Sequence, residues 1–545
     1  MSKQDDMKRK GPSWLSSAVF YQIYPPSFYD GNGDGIGDLG GIIEKLDYVQ
    51  SLGCNGVWLN PCFASPFRDG GYDVTDYYRV APRYGTNRDL KRLFKAAERR
   101  GIKVCLDLVA GHTSIDHPWF QASSRAESNP YSDWYIWTRD WTESAEAGLT
   151  EIRGYGERNG NYLANFFWSQ PALNYGFDRP DPDKPWQKPV GDPACRAVRE
   201  EMIKIMRYWL DRGAAGFRVD MAGSLVKNDK EARKTSEFWR EVRAMLDRDY
   251  PEAVLIAEWS NPAVAIKAGF HVDFFIHFNT PGYTSLFRQE GGRDINFSTT
   301  GHSFFSRAGK GDVSEFLDNY LDHYRKTKGR GYISIPTGNH DLPRISLGRT
   351  RAEIELVFAF ILTMPGIPFI YYGDEIGMRY LPELPGKEGG YTRTGARTPM
   401  QWGPGKNAGF SSGGGKTLYL PIDPERDRPT VAEQETSDRS LLNRVRKLAA
   451  LRKENTALGA EGEFYPVFAE PQTYPFVYLR KLHRAAYLVG LNPAGYPGEV
   501  TLPLSDLNQV QLAMSSEKEP SLECGSHAVL KMPPLSYGIY TLSIK

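Results

Sequence analysis

The chain has no excess of charge of either sign. Its 67 Lys and Arg residues face 66 Asp and Glu residues, a formal net charge of +1. That balance leaves no electrostatic footprint for nucleic acid or for an anionic membrane. No run of about 18 apolar residues occurs, so no transmembrane helix is expected. Cysteine is scarce: Cys54, Cys62, Cys105, Cys195 and Cys524 are odd in number and show no Cys-x-x-Cys spacing. All five read as reduced thiols, and Cys54 and Cys105 lie in apolar strand-like runs where a thiol acts as a small hydrophobe. Met1 to Lys10 is polar and charged, without the apolar core of a secretory signal, so a cytoplasmic protein is expected. Short-period internal repeats are also lacking.

Aromatic residues are plentiful, with 12 Trp and 31 Tyr among 545 residues. Most belong to a large core, leaving a few for binding surfaces. The length exceeds one ordinary domain and suits a barrel with additions.

The chain is organised around Gly216-Phe-Arg-Val-Asp-Met221. Upstream, Val198, Met202, Ile205, Met206, Trp209 and Leu210 recur with helical spacing, which predicts a helix with one buried face. Gly213 closes it, and Ala214 to Asp220 reads as a buried strand. Arg218 and Asp220 alternate with Phe217 and Val219, so a strand points both charges the same way. The design recurs. Val254 to Glu258, Ile102 to Asp107 (with His112 beyond) and Ile335 to Asp341 are further apolar runs ending in acids. One such pair is as consistent with a bracing ion pair as with chemistry. Four in series point to the mouth of an α/β barrel, where catalytic groups gather at strand C-termini.

These motifs, Asp107-Leu-Val-Ala-Gly-His112-Thr-Ser, Gly216-Phe-Arg-Val-Asp220, Ala257-Glu258 and Asn339-His340-Asp341, come in the order of a known family. The chain resembles the α-amylase family, glycoside hydrolase family thirteen, and most the α-glucosidase, oligo-1,6-glucosidase and trehalose synthase side of it. The resemblance implies an α/β fold. A (β/α)8 TIM barrel over 1–112 and 191–460 would carry an inserted domain over 113–190, after the third strand. A C-terminal antiparallel β-sandwich would cover 461–545. Strands are expected at Ala18–Tyr24, Cys54–Leu59, Ile102–Asp107, Ala214–Asp220, Val254–Glu258, His271–Phe278, Ile333–Asp341 and Ile367–Tyr372. The short alternating runs after 461, separated by Pro, Gly and Asn, independently suit an antiparallel sandwich. The long irregular stretch after His112 is the kind of insertion that carries function.

Retaining cleavage of a glycosidic bond needs two carboxyl groups about 5–5.5 Å apart. Neighbouring strands lie roughly 4.7–4.9 Å apart. The resemblance therefore assigns Asp220 as nucleophile, Glu258 as general acid/base and Asp341 as the third catalytic acid. It counts Tyr72, Asp73, His112, Arg218, His340 and Arg397 as substrate-binding. Tyr72 would stack on the terminal glucose. Asp73 would accept from it and pair with Arg397, closing the pocket's far end. His112 would donate to an outer hydroxyl, and Arg218 would hold Asp220 ionised.

Asp30-Gly-Asn-Gly-Asp-Gly-Ile-Gly-Asp38 spaces oxygen-bearing side chains with glycines, like the start of an EF-hand loop, although Gly41 stands where the bidentate Glu belongs. In the resembling branch such a loop binds a structural Ca2+ through Asp30, Asn32, Asp34, Asp38 and the Ile36 carbonyl.

Three departures bear on specificity. Gly111 replaces the family's usual Asn, removing an amide near the site. Ala172 stands where oligo-1,6-glucosidases carry Asp. Met221 matches neither the Val of those enzymes nor the smaller residues of α-1,4-preferring relatives. The expected activity is that of a retaining, exo-acting α-glucosidase on short α-linked gluco-oligosaccharides or disaccharides, with transglucosylation. The alternatives are a trehalose synthase or sucrose isomerase type of glucosyl isomerase, and a non-catalytic carbohydrate-binding or transporter-accessory relative. The partner expected is a small carbohydrate, not nucleic acid or membrane. Oligomeric state has no sequence signal.

Overall fold

A computed structural model describes residues 11–145, 148–289, 301–414, 417–504 and 508–543. Eight strands form one parallel sheet: β1 (Phe20–Ile23), β2 (Gly56–Leu59), β3 (Lys103–Val109), β4 (Gly216–Asp220), β5 (Val254–Ala257), β6 (Val272–Phe274), β7 (Tyr332–Ser334) and β8 (Phe369–Tyr371). The order runs β7-β6-β5-β4-β3-β2-β1-β8. A parallel bridge from Pro336 to Phe369 brings the ends together into a near-closed barrel. Nearly every barrel-strand residue is buried, as expected for parallel strands enclosed on both faces.

Helices return the chain between strands. The helix before β4 is Pro193–Leu210, started by Asp192, whose side chain accepts from Ala194 N–H. Its buried face is the set Val198, Met202, Ile205, Met206, Trp209 and Leu210 that the periodicity predicts. A reciprocal Thr86–Asp89 capping box begins Asn87–Glu98 after β2.

Most strands are trimmed by a residue or two against expectation, and two end well short of it. The seventh ends at Ser334, so Asp341 lies on the loop beyond it and not at a strand end. The sixth ends at Phe274, and Phe278 belongs to the rim. Burial continues through Ile335, Phe275 and Ile276 because the barrel mouth is itself covered. The apolar pattern reports burial, not strand pairing.

The stretch 113–190 holds a short helix, Pro118–Ser123, and a hairpin of Thr150–Ile152 with Tyr162–Ala164. It has a small core of its own around Ile136, Leu163, Ala172, Phe177 and Trp186. It is stitched to the end of β3 by a His112–Ala172 bridge and by Leu173 N–H donating to the Gly111 carbonyl at 3.0 Å.

After the helix Leu441–Glu454 come two antiparallel sheets. One has five strands, including β9 (Phe476–Leu482), β10 (Ala485–Asn492) and β11 (Ser536–Ser543); the other has three. Alternation sorts their side chains. Phe476, Tyr478, Val489, Leu491, Tyr537 and Ile539 join the barrel's core, while Val477, Leu488 and Leu542 face the three-stranded sheet. All five cysteines are free, and all but Cys524 are buried. No helix among the described residues is long and apolar enough to cross a membrane.

Candidate active site

Arg218 is the hub. β4 turns it inward beside Asp220, and its side chain is almost wholly buried. Nη1 donates to Asp107 Oδ1 at 2.9 Å and to Asp220 Oδ1 at 2.8 Å. Nη2 lies 2.5 Å from Glu258 Oε1. The guanidinium also sits over the rings of Trp58 and Tyr72. One cation thus gathers acids from three adjacent strands. The β4–β5 register pairs Val219 with Ala257, which sets Asp220 opposite Glu258.

Backbone strain helps aim the second acid. Met221, directly after β4, has φ 43°, a left-handed value uncommon outside glycine. That turn points its N–H at Glu258 Oε2, 3.1 Å away. Burial pushes the Asp220 carboxyl well above the usual range, and the neighbouring Glu258 charge adds to this; Arg218 only opposes it. The Arg218 guanidinium favours the ionised form of Asp220, the direction the sequence suggests, while burial pulls more strongly the other way.

Asp341 has the opposite character. Burial alone would raise it, but the surrounding cations hold it well below the ordinary carboxylate range. Its Oδ1 accepts from Arg393 Nη1 at 2.7 Å and from Arg397 Nη2 at 2.9 Å. Its Oδ2 lies 3.1 Å from His340 Nε2. Gln22 Nε2 and Asn60 Nδ2 both face His340 Nδ1 at 3.2 Å, which makes Nδ1 the acceptor and leaves the ring proton on Nε2, facing Asp341. Burial keeps this ring neutral, so Arg393 and Arg397 supply the charge that holds Asp341 down.

These groups surround a cavity of about 380 Å3, lined among others by Asp69, Tyr72, His112, Asp220, Glu258, Asp341 and Arg393. Phe166, Trp259 and Phe278 form its rim. Phe166 and Phe278 are 49% and 56% exposed, high for large apolar side chains.

The expected Asp73–Arg397 pair is absent. Asp73 faces back into its own loop, where Oδ1 accepts from Ser65 Oγ and Asp69 N–H and Oδ2 from Arg68 N–H. The pair at the closed end is Asp69 with Arg393, at 3.3 Å. The reason lies in Gly70 and Gly71, with φ 56° and 102°, which reverse the chain so that Asp69 and Asp73 face opposite ways. Gln170 of the inserted segment braces Asp69 Oδ2 at 2.8 Å. Arg397 and His340 stand one layer behind, holding Asp341 and not lining the cavity. Tyr72 does line it, stacked on His340 with ring centres 5.2 Å apart and its hydroxyl donating to Asp107. His112 lines it too, but its Nε2 faces the Tyr72 carbonyl at 3.2 Å, so that donor is already engaged. Burial pushes the His112 ring down to about 3, which keeps it neutral.

Sequence reasoning missed Asp69, Arg393 and Asn165. Each of the first two stands four residues before the residue of its own type that the resemblance selects, Asp73 and Arg397, and spacing alone does not choose between them. Asn165 carried no signal.

In the Asp30–Asp38 loop the donor chemistry is all hard oxygen, which suits Ca2+. The same oxygens already accept local backbone N–H groups. Asp30 takes those of Asn32, Gly33 and Gly35, Asp34 that of Ile36, and Asp38 those of Gly31, Asn32 and Gly41. Asp34 Oδ1 and Asp38 Oδ1 accept one bond each and retain a lone pair for a cation, whereas both oxygens of Asp30, one of them also taking Ser411 Oγ–H, and Asp38 Oδ2 accept two. Among the described residues no three His, Cys, Asp or Glu side chains gather closely enough to hold a metal by themselves. Amide and carbonyl oxygens, those of Asn32 and Ile36, would have to complete the set.

Residues 22–461 match the model of the α-amylase catalytic domain. A trehalose synthase/amylase of Mycobacterium tuberculosis is 34% identical over 501 residues, covering 83% of this chain and 77% of the relative. An oligo-1,6-glucosidase of Parageobacillus thermoglucosidasius is 31% identical over 537 residues, covering 88% and 90%. The crystal structure of a trehalulose synthase from Pseudomonas mesoacidophila superposes with a TM-score of 0.80 at 26% identity, covering 98% of this chain and all of that one. Barrel, strand-end acids and sequence kinship agree: this chain is an enzyme of the α-amylase family.

Proposed function

We propose that the enzyme is a retaining, exo-acting α-glucosidase that hydrolyses short α-linked gluco-oligosaccharides or disaccharides and transfers glucose to sugar acceptors. One observation carries this reading: Asp220 and Glu258 are held on a single guanidinium at the wall of a cavity whose lining also includes the Asp69–Arg393 pair, which we read as its closed end. A closed end accepts a terminal sugar and rejects the middle of a long chain.

Asp220 attacks the anomeric carbon and forms a glucosyl ester while Glu258 passes a proton to the departing oxygen. Glu258 then takes the proton of the incoming water or hydroxyl. Asp341, held ionised, accepts from ring hydroxyls, and that contact strengthens as positive charge develops on the sugar. The leaving half departs past Met221 toward the aromatic rim.

A second reading, isomerisation, has its own support. Trehalose synthases stand among the relatives, and Phe166, Trp259 and Phe278 can cover a released sugar at the mouth until it attacks again. The test is incubation with maltose, isomaltose, sucrose and trehalose, with products followed by NMR. α-Glucose as the first product supports hydrolysis with retention, and a new disaccharide without free glucose supports isomerisation. β-Glucose as first product overturns the double-displacement scheme. Asp220→Asn is expected to lower turnover by about 10^4-fold with an unchanged melting temperature.

We propose in addition that the Asp30–Asp38 loop takes Ca2+ as a structural ion. Isothermal titration of chelator-treated enzyme is expected to show one site, lost in Asp34→Ala.

A further inference from the structure

Next to the cavity, four polar groups from four segments form a chain whose direction is fixed at one end by a lysine. Lys227 is buried, and its Nζ donates to the Ser224 carbonyl at 2.7 Å and to Asn165 Oδ1 at 3.2 Å. An ammonium group has donors only, so the Asn165 amide must present its oxygen to Lys227. Its Nδ2 then faces the other way, 3.2 Å from His112 Nδ1, 3.4 Å from Ser224 Oγ and 3.7 Å from Met221 Sδ. An NH2 group only donates, so His112 Nδ1 must accept. The ring proton is left on Nε2, opposite the Tyr72 carbonyl, which only accepts. Every donor meets an acceptor, and reversing any one link breaks the others.

The backbone is shaped for this. A Cβ at Gly111 would lie 2.8 Å from Asn165 Nδ2, so glycine there makes room for the amide. Asn165 is itself held by its N–H donating to the Gln170 carbonyl at 2.9 Å. The amide missing at position 111 is thus replaced by one from the inserted segment.

We infer that Asn165 is a positioning residue that fixes the proton of His112 on Nε2 and so anchors Tyr72 at the cavity wall, with Lys227 setting the direction of its amide. The effect on turnover rests on the glucosidase reading above; the tautomer does not.

The experiment is a long-range 1H–15N correlation spectrum of the full chain with 15N-histidine, His112 being assigned by its absence in His112→Gln. Steady-state kinetics on maltose and sucrose are run alongside. The native enzyme is expected to show the Nε2–H tautomer of His112. Asn165→Asp puts a group that only accepts beside Nδ1, so the proton moves to Nδ1 and kcat/KM falls about 10-fold or more. Lys227→Met frees the amide to turn, giving mixed tautomers and a smaller loss. If Asn165→Asp does not fold, Lys227→Met carries the test. An unchanged Nε2–H tautomer in the folded variants overturns the inference, as does a tautomer change without loss of kcat/KM. A native enzyme inactive on every α-glucoside defeats the functional reading instead, while the spectra still decide the tautomer.

Discussion

Asp69 and Asp73 are the same residue type in one loop, yet the fold gives them unlike work. Asp69 meets Arg393 at the closed end of the cavity, whereas Asp73 accepts from Ser65, Arg68 and Asp69. Asp69→Ala and Arg393→Ala are therefore expected to raise KM for disaccharides, lowering kcat/KM about 100-fold or more, with little change in melting temperature. Asp73→Ala leaves the buried Asp69 N–H and the half-buried Arg68 N–H without their acceptor, which costs about 1–3 kcal/mol of stability. Kinetics and thermal melts on the three variants decide the matter; a large KM effect in Asp73→Ala with an unchanged melting temperature would reverse the assignment. At this scale the acids at strand ends were legible, because alternation along β4 fixes which way Arg218 and Asp220 point. The Asp69–Arg393 pair was not, because its facing depends on two left-handed glycines and on a loop after β8. Asp69 and Asp73, like Arg393 and Arg397, are residues of one type four apart, and local spacing contains no statement about chain reversal. Asn165 was invisible for a related reason: its role exists only once a distant segment folds over the end of β3.

At the scale of elements, the approach of β4 to β5 decides whether two acids can serve one bond. Gly216 opens β4 with φ 142°, and a Cβ there would lie 2.1 Å from the Val254 carbonyl oxygen. No side chain fits unless one strand withdraws. Gly216→Ala is expected to cost about 3 kcal/mol or more and to lower kcat beyond the loss of folded protein, because the shift separates Asp220 from Glu258. Active-site titration with a mechanism-based glucoside inactivator separates the two effects; normal kcat per titrated site would refute the coupling. Helices were legible from period and caps, as Pro193–Leu210 shows. Strand existence was legible too, but strand ends were not. The sixth and seventh are shorter than the apolar pattern because burial persists past the strand ends, Phe275 for instance packing on Phe316 and Tyr320 of the helix Ser314–Thr327.

For the molecule as a whole, the barrel and the C-terminal sheets share one core, and burial there reaches ionisable groups remote from catalysis. Glu375, just after β8, is fully buried with Tyr21 and Tyr48 donating to its Oε1, while its Oε2 finds no partner among the described residues. Burial pushes this carboxyl from 4.5 up to about 7, against the pull of the two tyrosine hydroxyls. An unfolded chain releases this proton near 4.5, whereas the folded one holds it until near 7. Below pH 4.5 both states are protonated and Glu375 contributes no pH dependence. Between pH 4.5 and 7 the unfolded state ionises first, so stability falls as pH rises, and above 7 the loss is complete. At about 1.4 kcal/mol per pH unit the linkage amounts to roughly 3 kcal/mol. For a chain of this length that is about 3 °C of melting temperature. Asp73 and Asp107, both pushed up to about 6 by burial, act in the same direction, whereas the buried His112 and His117, both pushed down to about 3, act in the opposite one, so the Glu375 contribution is read from the difference between the native and Glu375→Gln curves and not from the native curve alone. Asp341, held low, has its opposite effect only in stronger acid. Glu375→Gln keeps an oxygen for the two tyrosines and removes the ionisation, so its melting temperature should depend less on pH across this window. Scanning calorimetry of both proteins at pH 5, 6, 7 and 8 tests this. Parallel curves would mean that the Glu375 carboxyl ionises in the folded enzyme as readily as in the unfolded chain, and the tyrosine hydroxyls would then be holding a full charge in the core.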